Sequence, residues 1–285
     1  MENFVKLCIV CILILMTIVG GAFAQTECTM EDIVQSNTAE QVLRHFQSVL
    51  LTTYDSRVEP SDFIIYVDAD RWYFEDSVGN EIWTEDGVYS CYEGQYSGTL
   101  YFDSYLDEWQ SYFQNLTMDP EGSLYEEIQS IEEEDGWLMV TTVPGAESAA
   151  QYLEQYEGGV AVTFVYRLDA KTLTLQSFVS IITYSDGSTQ TILQTEYQYD
   201  VPLPDGAQAL LDRLDDPQQL RTVTVTLHPD TEEELTRSAI MRKGESAQIV
   251  LDDPEAYSWY EDRECTQAYG GADKNEDLHV YLKRN

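Results

Sequence analysis

The sequence predicts a mainly β protein of the α+β class, in which a curved antiparallel sheet with packed helices precedes a smaller β unit. Two observations lead to this expectation. Short runs rich in Val, Ile, Thr, Tyr, Phe and Trp recur at intervals of about ten residues. Turn-forming residues such as Asp-Gly separate these runs. Connections this short leave no room for the crossover helices that a parallel sheet requires.

The first 24 residues differ from the rest of the chain in composition. Lys6 precedes an apolar run at residues 7–19, which is followed by Gly20-Gly21 and a small-x-small ending, Ala22-Phe23-Ala24. This is the pattern of a secretory signal peptide, with cleavage expected after Ala24. An uncleaved membrane anchor is the alternative, because the run approaches the length of about 17 residues that can span a bilayer. The protein is therefore expected outside the cytoplasm, secreted or associated with the cell surface, with no membrane span after cleavage.

The chain is strongly acidic, with 15 Lys and Arg against 52 Asp and Glu and a formal net charge of −37. Nucleic acids and anionic lipid surfaces are bound mainly through Lys and Arg, so nucleic acid is not expected as a partner. The 20 Tyr and 5 Trp residues supply large side chains for a core. The composition thus predicts an acidic folded protein and not a disordered chain.

The first region, residues 25–215, is predicted to begin with a helix. The sequence Asn37-Thr38-Ala39-Glu40 has the spacing of a capping box, with Asn37 as the cap. After it, apolar residues recur at helical spacing and form one stripe: Val42, Leu43, Phe46, Val49 and Leu50. Such a stripe predicts a helix that packs on a sheet.

That sheet is predicted from the strand-like runs that follow, at residues 62–67, 71–75, 81–84, 88–92, 99–102, 137–143, 160–168, 173–184 and 190–199. The dipeptide Asp186-Gly187 predicts a tight hairpin between the last two runs. Short helices are expected at 105–113, 146–156 and 207–214. Pro202 and Pro204 end the last strand, because proline cannot continue a central strand.

A second region at 221–285 carries a new pattern of short strands, at 222–227, 248–251 and near both 259 and 280, with a strand or a short helix at 235–241. It is predicted to form a small β module, and residues 215–217 are predicted to link it to the first region.

The first region ends in a motif, Tyr-x-Tyr-Asp-x-Pro-x-Pro at residues 197–204. Together with the leading helix, the long meander and the late Asp-Gly hairpin, it resembles the lipoprotein-carrier (LolA-like) superfamily of exported proteins. This resemblance implies a strongly curved sheet wrapped around helices. In some members of that superfamily the hollow of the sheet holds acyl chains or other apolar ligands.

The second region contains Lys243-Gly244-Glu245, then a Trp-Tyr-x-Asp-x-Glu-Cys-Thr motif at 259–266, then an Asp-Leu-x-x-Tyr-x-Lys motif at 277–283. This order resembles the internalin-type bacterial surface repeat, a small β-grasp-like module of cell-surface proteins. The family's glycine pair after the first strand is replaced here by Asp230-Thr231-Glu232, and the module occurs as a single copy. The resemblance therefore implies a fold more firmly than a binding surface.

The sequence predicts no catalytic site, metal site or cofactor. It lacks a glycine-rich phosphate loop, a His-Glu-x-x-His motif and a Gly-x-Ser-x-Gly motif. Its three histidines have no neighbouring nucleophile motif. Cys28, Cys91 and Cys265 follow the leader with spacings that fit no zinc pattern, and unpaired thiols are favoured over a disulfide.

Aromatic residues of the strands form the predicted ligand-binding set. Alternation along a strand places Trp72 and Phe74 on one face and Tyr73 on the other, while Phe164 and Tyr166 share a face later in the chain. Such residues either fill the core beneath the first helix or line an apolar hollow open to a ligand. The full set is Trp72, Phe74, Trp83, Tyr89, Tyr101, Phe164 and Tyr166.

Three functions are compatible with these features. A non-catalytic binding or interaction protein of the bacterial cell envelope, with an apolar or peptidic ligand or a cell-surface partner, is favoured. A carrier of lipid or lipoprotein predicts a continuous apolar cavity in the first region, whereas a filled core there favours the interaction protein. A secreted hydrolase that uses carboxylates predicts a polar cleft with two facing acids, one of them with a raised pKa.

Overall fold

The computed structural model describes residues 28–57, 62–84, 87–102, 116, 124–271 and 274–285. The predicted signal peptide at 1–24 and the predicted helix at 105–113 lie outside these residues. Within the described segments, no helix has both the length and the apolar character needed to cross a bilayer.

Among the described residues, one curved sheet of twelve strands dominates the architecture, which confirms the mainly β class. Its strand order is β14-β6-β5-β4-β3-β2-β1-β11-β10-β9-β8-β7. Neighbours are antiparallel except for β14 and β6, which run parallel. The strands are β1 (Ser48–Asp55), β2 (Asp62–Asp68), β3 (Trp72–Asp76), β4 (Gly79–Thr84), β5 (Gly87–Tyr92), β6 (Gln95–Tyr101), β7 (Glu127–Glu134), β8 (Trp137–Val143), β9 (Gly159–Asp169), β10 (Leu175–Tyr184), β11 (Thr189–Tyr199) and β14 (Ser246–Val250).

The large sheet consists of two meanders, β1 to β6 and β7 to β11, that meet where β1 pairs with β11. At this seam Thr53 lies opposite Thr195, and their buried hydroxyl oxygens are 3.1 Å apart. Strand β1 therefore hydrogen-bonds on both edges, to β2 and to β11, and lies in the middle of the sheet.

Four α-helices and two short 3₁₀ turns accompany the strands in the described part of the chain. They are α1 (Met30–Ser36), α2 (Ala39–Leu43), α3 (Ala146–Glu154), α4 (Asp205–Asp212) and the turns Pro217–Gln219 and Pro254–Ala256. The predicted helices at 146–156 and 207–214 are confirmed as α3 and α4, with ends that differ by a few residues.

The prediction of one amphipathic helix capped by Asn37 is wrong. Helix α2 is capped by the Thr38 side chain, which accepts from the backbone N–H of Gln41. Asn37 instead ends α1, and its side chain is fully buried between the two helices and the sheet. The stripe also breaks, because α2 ends at Leu43 and Val49 belongs to β1.

The large sheet has a hydrophobic core on each face. The first core lies between the sheet and α1 and α2, with Ile33 and Val42 fully buried. The second core lies between the opposite face, α4 and a four-stranded sheet. The order of that smaller sheet is β13-β12-β16-β15, and its strands are β12 (Leu220–Leu227), β13 (Leu235–Arg242), β15 (Tyr257–Tyr260) and β16 (Leu278–Arg284).

Residues 221–285 contribute to both sheets, because β14 extends the large sheet while the other strands form the small one. Strand β13 packs closely on β5 and β6 at two glycines. A Cβ on Gly98 would lie 2.5 Å from the Met241 methyl carbon, and one on Gly87 would lie 2.9 Å from the Ser238 carbonyl oxygen. The two regions predicted from the sequence therefore share the second core.

The three described cysteines, Cys28, Cys91 and Cys265, are all free thiols.

Candidate functional site

Six of the seven predicted ligand-binding residues lie on the first-core face of the large sheet: Trp72, Phe74, Trp83, Tyr101, Phe164 and Tyr166. The seventh, Tyr89, is buried on the opposite face, in the second core. Alternation predicts the shared faces of Trp72 with Phe74 and of Phe164 with Tyr166 correctly, and it also places Tyr73 correctly on the other face.

Phe164 and Tyr166 belong to a packed part of the first core. Their ring centroids lie 5.8 and 4.9 Å from that of Phe178 on the neighbouring strand β10. The Tyr166 hydroxyl donates to the Glu126 carboxylate at 2.7 Å. These two residues are 5% and 2% exposed, so they stabilise the interior and present little surface to a ligand.

Trp72, Trp83 and Tyr101 form a row of rings across β3, β4 and β6, which we call the aromatic row. Trp72 lies directly opposite Trp83 in the strand register, with ring centroids 6.4 Å apart. Trp83 stacks on Tyr101 at 5.1 Å and an interplanar angle of 11°. Phe74, two residues after Trp72, packs on Phe63 instead, with centroids 5.8 Å apart.

Glu81 fixes the aromatic row from within the sheet. Its carboxylate accepts a hydrogen bond from the Trp83 indole N–H at 3.0 Å and one from the Tyr101 hydroxyl at 3.4 Å. The side chain is buried, and this burial raises the pKa of the Glu81 carboxyl. A buried acid with aromatic donors on both oxygens holds the two rings in one orientation.

The aromatic row borders a pocket of about 510 Å³ at the rim of the large sheet, which we call the rim pocket. The β2–β3 turn contributes Asp70 and Arg71 to its wall, and the end of β4 contributes Thr84. The small sheet closes the other side through β13, with Arg237 at its centre. The pocket therefore combines aromatic, hydroxyl and charged walls.

The two arginines of the rim pocket differ in their environment. Arg71 pairs with Asp68 at 2.9 Å, and Asp68 also accepts from the Tyr66 hydroxyl at 3.2 Å. Arg237 takes part in none of the ion pairs formed among the described residues, and its buried Nε atom has no hydrogen-bond partner there. Its guanidinium carbon lies 5.8 Å from the centre of the Phe102 ring.

Tyr89 lies in a cluster that joins the two sheets, which we call the junction cluster and which consists of Tyr89, Arg213 and Glu245. The Tyr89 hydroxyl donates to Glu245 at 2.9 Å, and the Arg213 Nη2 donates to the same carboxylate at 2.6 Å. Arg213 also stacks over the Tyr96 ring at 3.6 Å. These contacts give Tyr89 a structural role in joining the two sheets and do not indicate a role in binding a ligand.

Glu81, Arg71 and Arg237 border or support the rim pocket and were not predicted from the sequence. Alternation along β13 could have pointed to Arg237, because it places Arg237 on the same strand face as the apolar Ala239 and Met241. The structure shows that these two residues are fully buried. Arginine is seldom buried, and this acidic chain has few cations, so an arginine on the same strand face as two core residues is unusual. No local pattern places that face of β13 next to the aromatic row.

Within the described segments, no group of three or more His, Cys, Asp and Glu side chains is arranged to hold a metal ion.

Comparison with known proteins gives little guidance. No family model matches the chain, and no curated protein matches it. The chain is similar to a solved structure, the crystal structure of the lipoprotein LppX of Mycobacterium tuberculosis, with 13% sequence identity over 61% of this chain and 96% of that chain. The TM-score is 0.34, which is too low to support an inference about family or ligand.

Proposed function

We propose that this protein is a non-catalytic, extracytoplasmic binding protein that holds a small molecule in the rim pocket. The signal-peptide pattern at residues 1–24 supports the location. The observation that carries the proposal is the aromatic row: the half-buried Trp72 and Tyr101 border a pocket of about 510 Å³, and Trp83, which is 6% exposed, packs against both rings.

The pocket has the volume and the aromatic wall residues of a small-molecule site. Such sites have volumes of roughly 300–1,000 Å³, with aromatic and apolar walls and a few polar groups that orient the ligand. Strand register fixes Trp72 and Trp83 opposite each other, and the Glu81 carboxylate fixes Trp83 and Tyr101. Walls that are ordered before binding lower the entropy that association costs.

Packing of aromatic side chains on β9 and β10, one part of the first core, favours a binding protein over a carrier. A carrier would hold its apolar ligand between the sheet and the helices, where Phe164, Tyr166 and Phe178 pack against one another. The rim pocket lies at the end of the strands and includes Asp70 and Arg71 in its wall. Its mixed polar and aromatic walls suit a small amphipathic molecule.

Native mass spectrometry of the full chain purified from its own envelope tests this proposal. We expect wild-type protein to carry a bound small molecule, and we expect Trp72→Ala and Tyr101→Ala to lose it. Trp137→Ala is the matched control, because Trp137 is also a half-buried strand tryptophan but packs under Arg167 on β9. Retention of the molecule by both pocket variants would contradict the proposal, and so would a wild-type protein without any bound molecule.

A further inference from the structure

We infer that the rim pocket takes a small molecule in which an aromatic group is joined to one anionic group, and that Arg237 binds the anion. This inference rests on the proposed function and specifies the chemical class of its ligand. It follows from the position of Arg237 on β13, from the absence of a described partner for it, and from the rings beside it.

The position of Arg237 follows from the packing of β13. Ala239 and Met241 point from β13 toward the large sheet and are fully buried against Gly87 and Gly98. Arg237 continues the same face by alternation, at the end of the strand where the rim pocket opens. The guanidinium therefore lies between the two sheets, on the pocket wall.

The charges of the described residues leave Arg237 available for a ligand. Arg71 is neutralised by Asp68, whose carboxylate accepts from the Arg71 Nε at 3.1 Å and Nη2 at 2.9 Å. Arg237 has no carboxylate within ion-pair distance among the described residues, and its buried Nε donor is unsatisfied there. A buried donor without a partner is costly, and an anionic acceptor removes that cost.

The neighbouring rings define the rest of the ligand. Tyr101 and Trp72 lie on the pocket wall with Arg237, and Phe102 packs beside the guanidinium. Aromatic rings favour offset or edge contacts with a second ring. Among the described residues of the wall the acidic one is Asp70, which is exposed, so solvent and salt screen its charge.

Three probes with the same phenylpropyl skeleton and different charge test the inference: 3-phenylpropanoate, 3-phenylpropanamide and 3-phenylpropylammonium. Their dissociation constants for the full chain are measured by ligand-observed NMR titration. We expect the carboxylate to bind on the order of tenfold more tightly than the amide, as a charge-assisted hydrogen bond provides. The ammonium is expected to bind most weakly.

Two substitutions at position 237 separate the anion contact from folding. We expect Arg237→Gln to remove the preference for the carboxylate while the amide binds as before. Arg237→Lys keeps the charge and should retain part of the preference. The control is Arg44→Gln, since Arg44 forms an exposed ion pair with Glu40 on α2, and it should leave all three constants unchanged.

The outcomes distinguish this inference from the proposed function. Equal or tighter binding of the amide or the ammonium would overturn the inference, and so would an unchanged preference in Arg237→Gln. If Trp72→Ala still weakens all three probes, the rim pocket remains the binding site. If none of the probes binds, the inference is wrong, and the mass spectrometry described above decides the proposed function by itself.

Discussion

Replacing Glu245 by alanine is expected to lower the free energy of unfolding of the protein by about 3 kcal/mol. The Glu245 carboxylate accepts from the Tyr89 hydroxyl at 2.9 and 3.0 Å and from the Arg213 Nη2 at 2.6 Å. It also accepts from the backbone N–H of Arg242 at 3.0 Å. These donors come from β5, from the residue after α4 and from β13, so one side chain connects the two sheets.

The magnitude follows from the burial of each partner. Tyr89 is 2% exposed, and a buried hydrogen bond to a charged acceptor contributes about 1.5–3 kcal/mol. The Arg213 side chain is 32% exposed, so its ion pair contributes at most about 1 kcal/mol. The neutral backbone donor of Arg242 adds on the order of 0.5–1 kcal/mol.

Urea denaturation followed by tryptophan fluorescence measures this change. We expect one transition in both proteins, with a lower midpoint and an unchanged slope for the variant. Tyr89→Phe and the double variant complete a cycle whose coupling energy should be about 1.5 kcal/mol or more. As a control, Glu40→Ala removes an exposed ion pair with Arg44 and should leave the midpoint nearly unchanged. A loss below about 1 kcal/mol for Glu245→Ala would refute the reasoning, because buried charged contacts cannot be so weak.

Three further changes test other parts of the structure. Because burial raises the pKa of Glu81, its protonated form favours the folded state. The stability of wild type relative to Glu81→Gln should therefore be greatest below the ordinary pKa of 4.5 and should fall as pH rises through the raised pKa. Urea midpoints of both proteins across this pH range measure the difference, and a constant difference would contradict the prediction. Gly87→Ala should lower the free energy of unfolding by about 1–3 kcal/mol in thermal denaturation, because φ is +115° and the new Cβ would lie 2.9 Å from the Ser238 carbonyl oxygen. The control is Gly94→Ala, which should lower it by less, because φ there is +77° and the space around the new Cβ is open. Asn37→Ala removes three hydrogen bonds of 2.8 Å to backbone groups and should lower the free energy of unfolding, measured by urea denaturation, by about 3 kcal/mol. A loss near zero would show that this side chain does not hold the helices to the sheet.

The sequence predicts the strands well where residue type and turn signals agree. The run 137–143 is a strand with the predicted ends, and the Asp186-Gly187 turn joins β10 to β11 as expected. Which aromatic residues of one strand share a face also follows from alternation, since side chains of a strand point to opposite sides in turn. Local stereochemistry determines these features, so they can be predicted from neighbours in the chain.

Prediction fails where two local patterns coincide. Val42, Phe46 and Val49 recur at helical spacing, but Val49 and Leu51 also alternate as strand residues, and β1 forms there. The pairing of β1 with β11, in which Val49 lies opposite Tyr199 and Leu51 opposite Tyr197, decides between these patterns. Those partners are distant in sequence, so no local rule can supply them.

The sequence by itself determined the mainly β class, the shared face of Trp72 and Phe74 opposite Tyr73, and the acidic composition. Tertiary structure alone decided that β14 pairs in parallel with β6 and that β13 packs on the same end of the sheet. It thereby brought Arg237 to the aromatic row and buried Tyr89 against Glu245 on the opposite face. Alternation fixes which residues share a face, but the partner of each face depends on long-range pairing and on close packing of the two sheets.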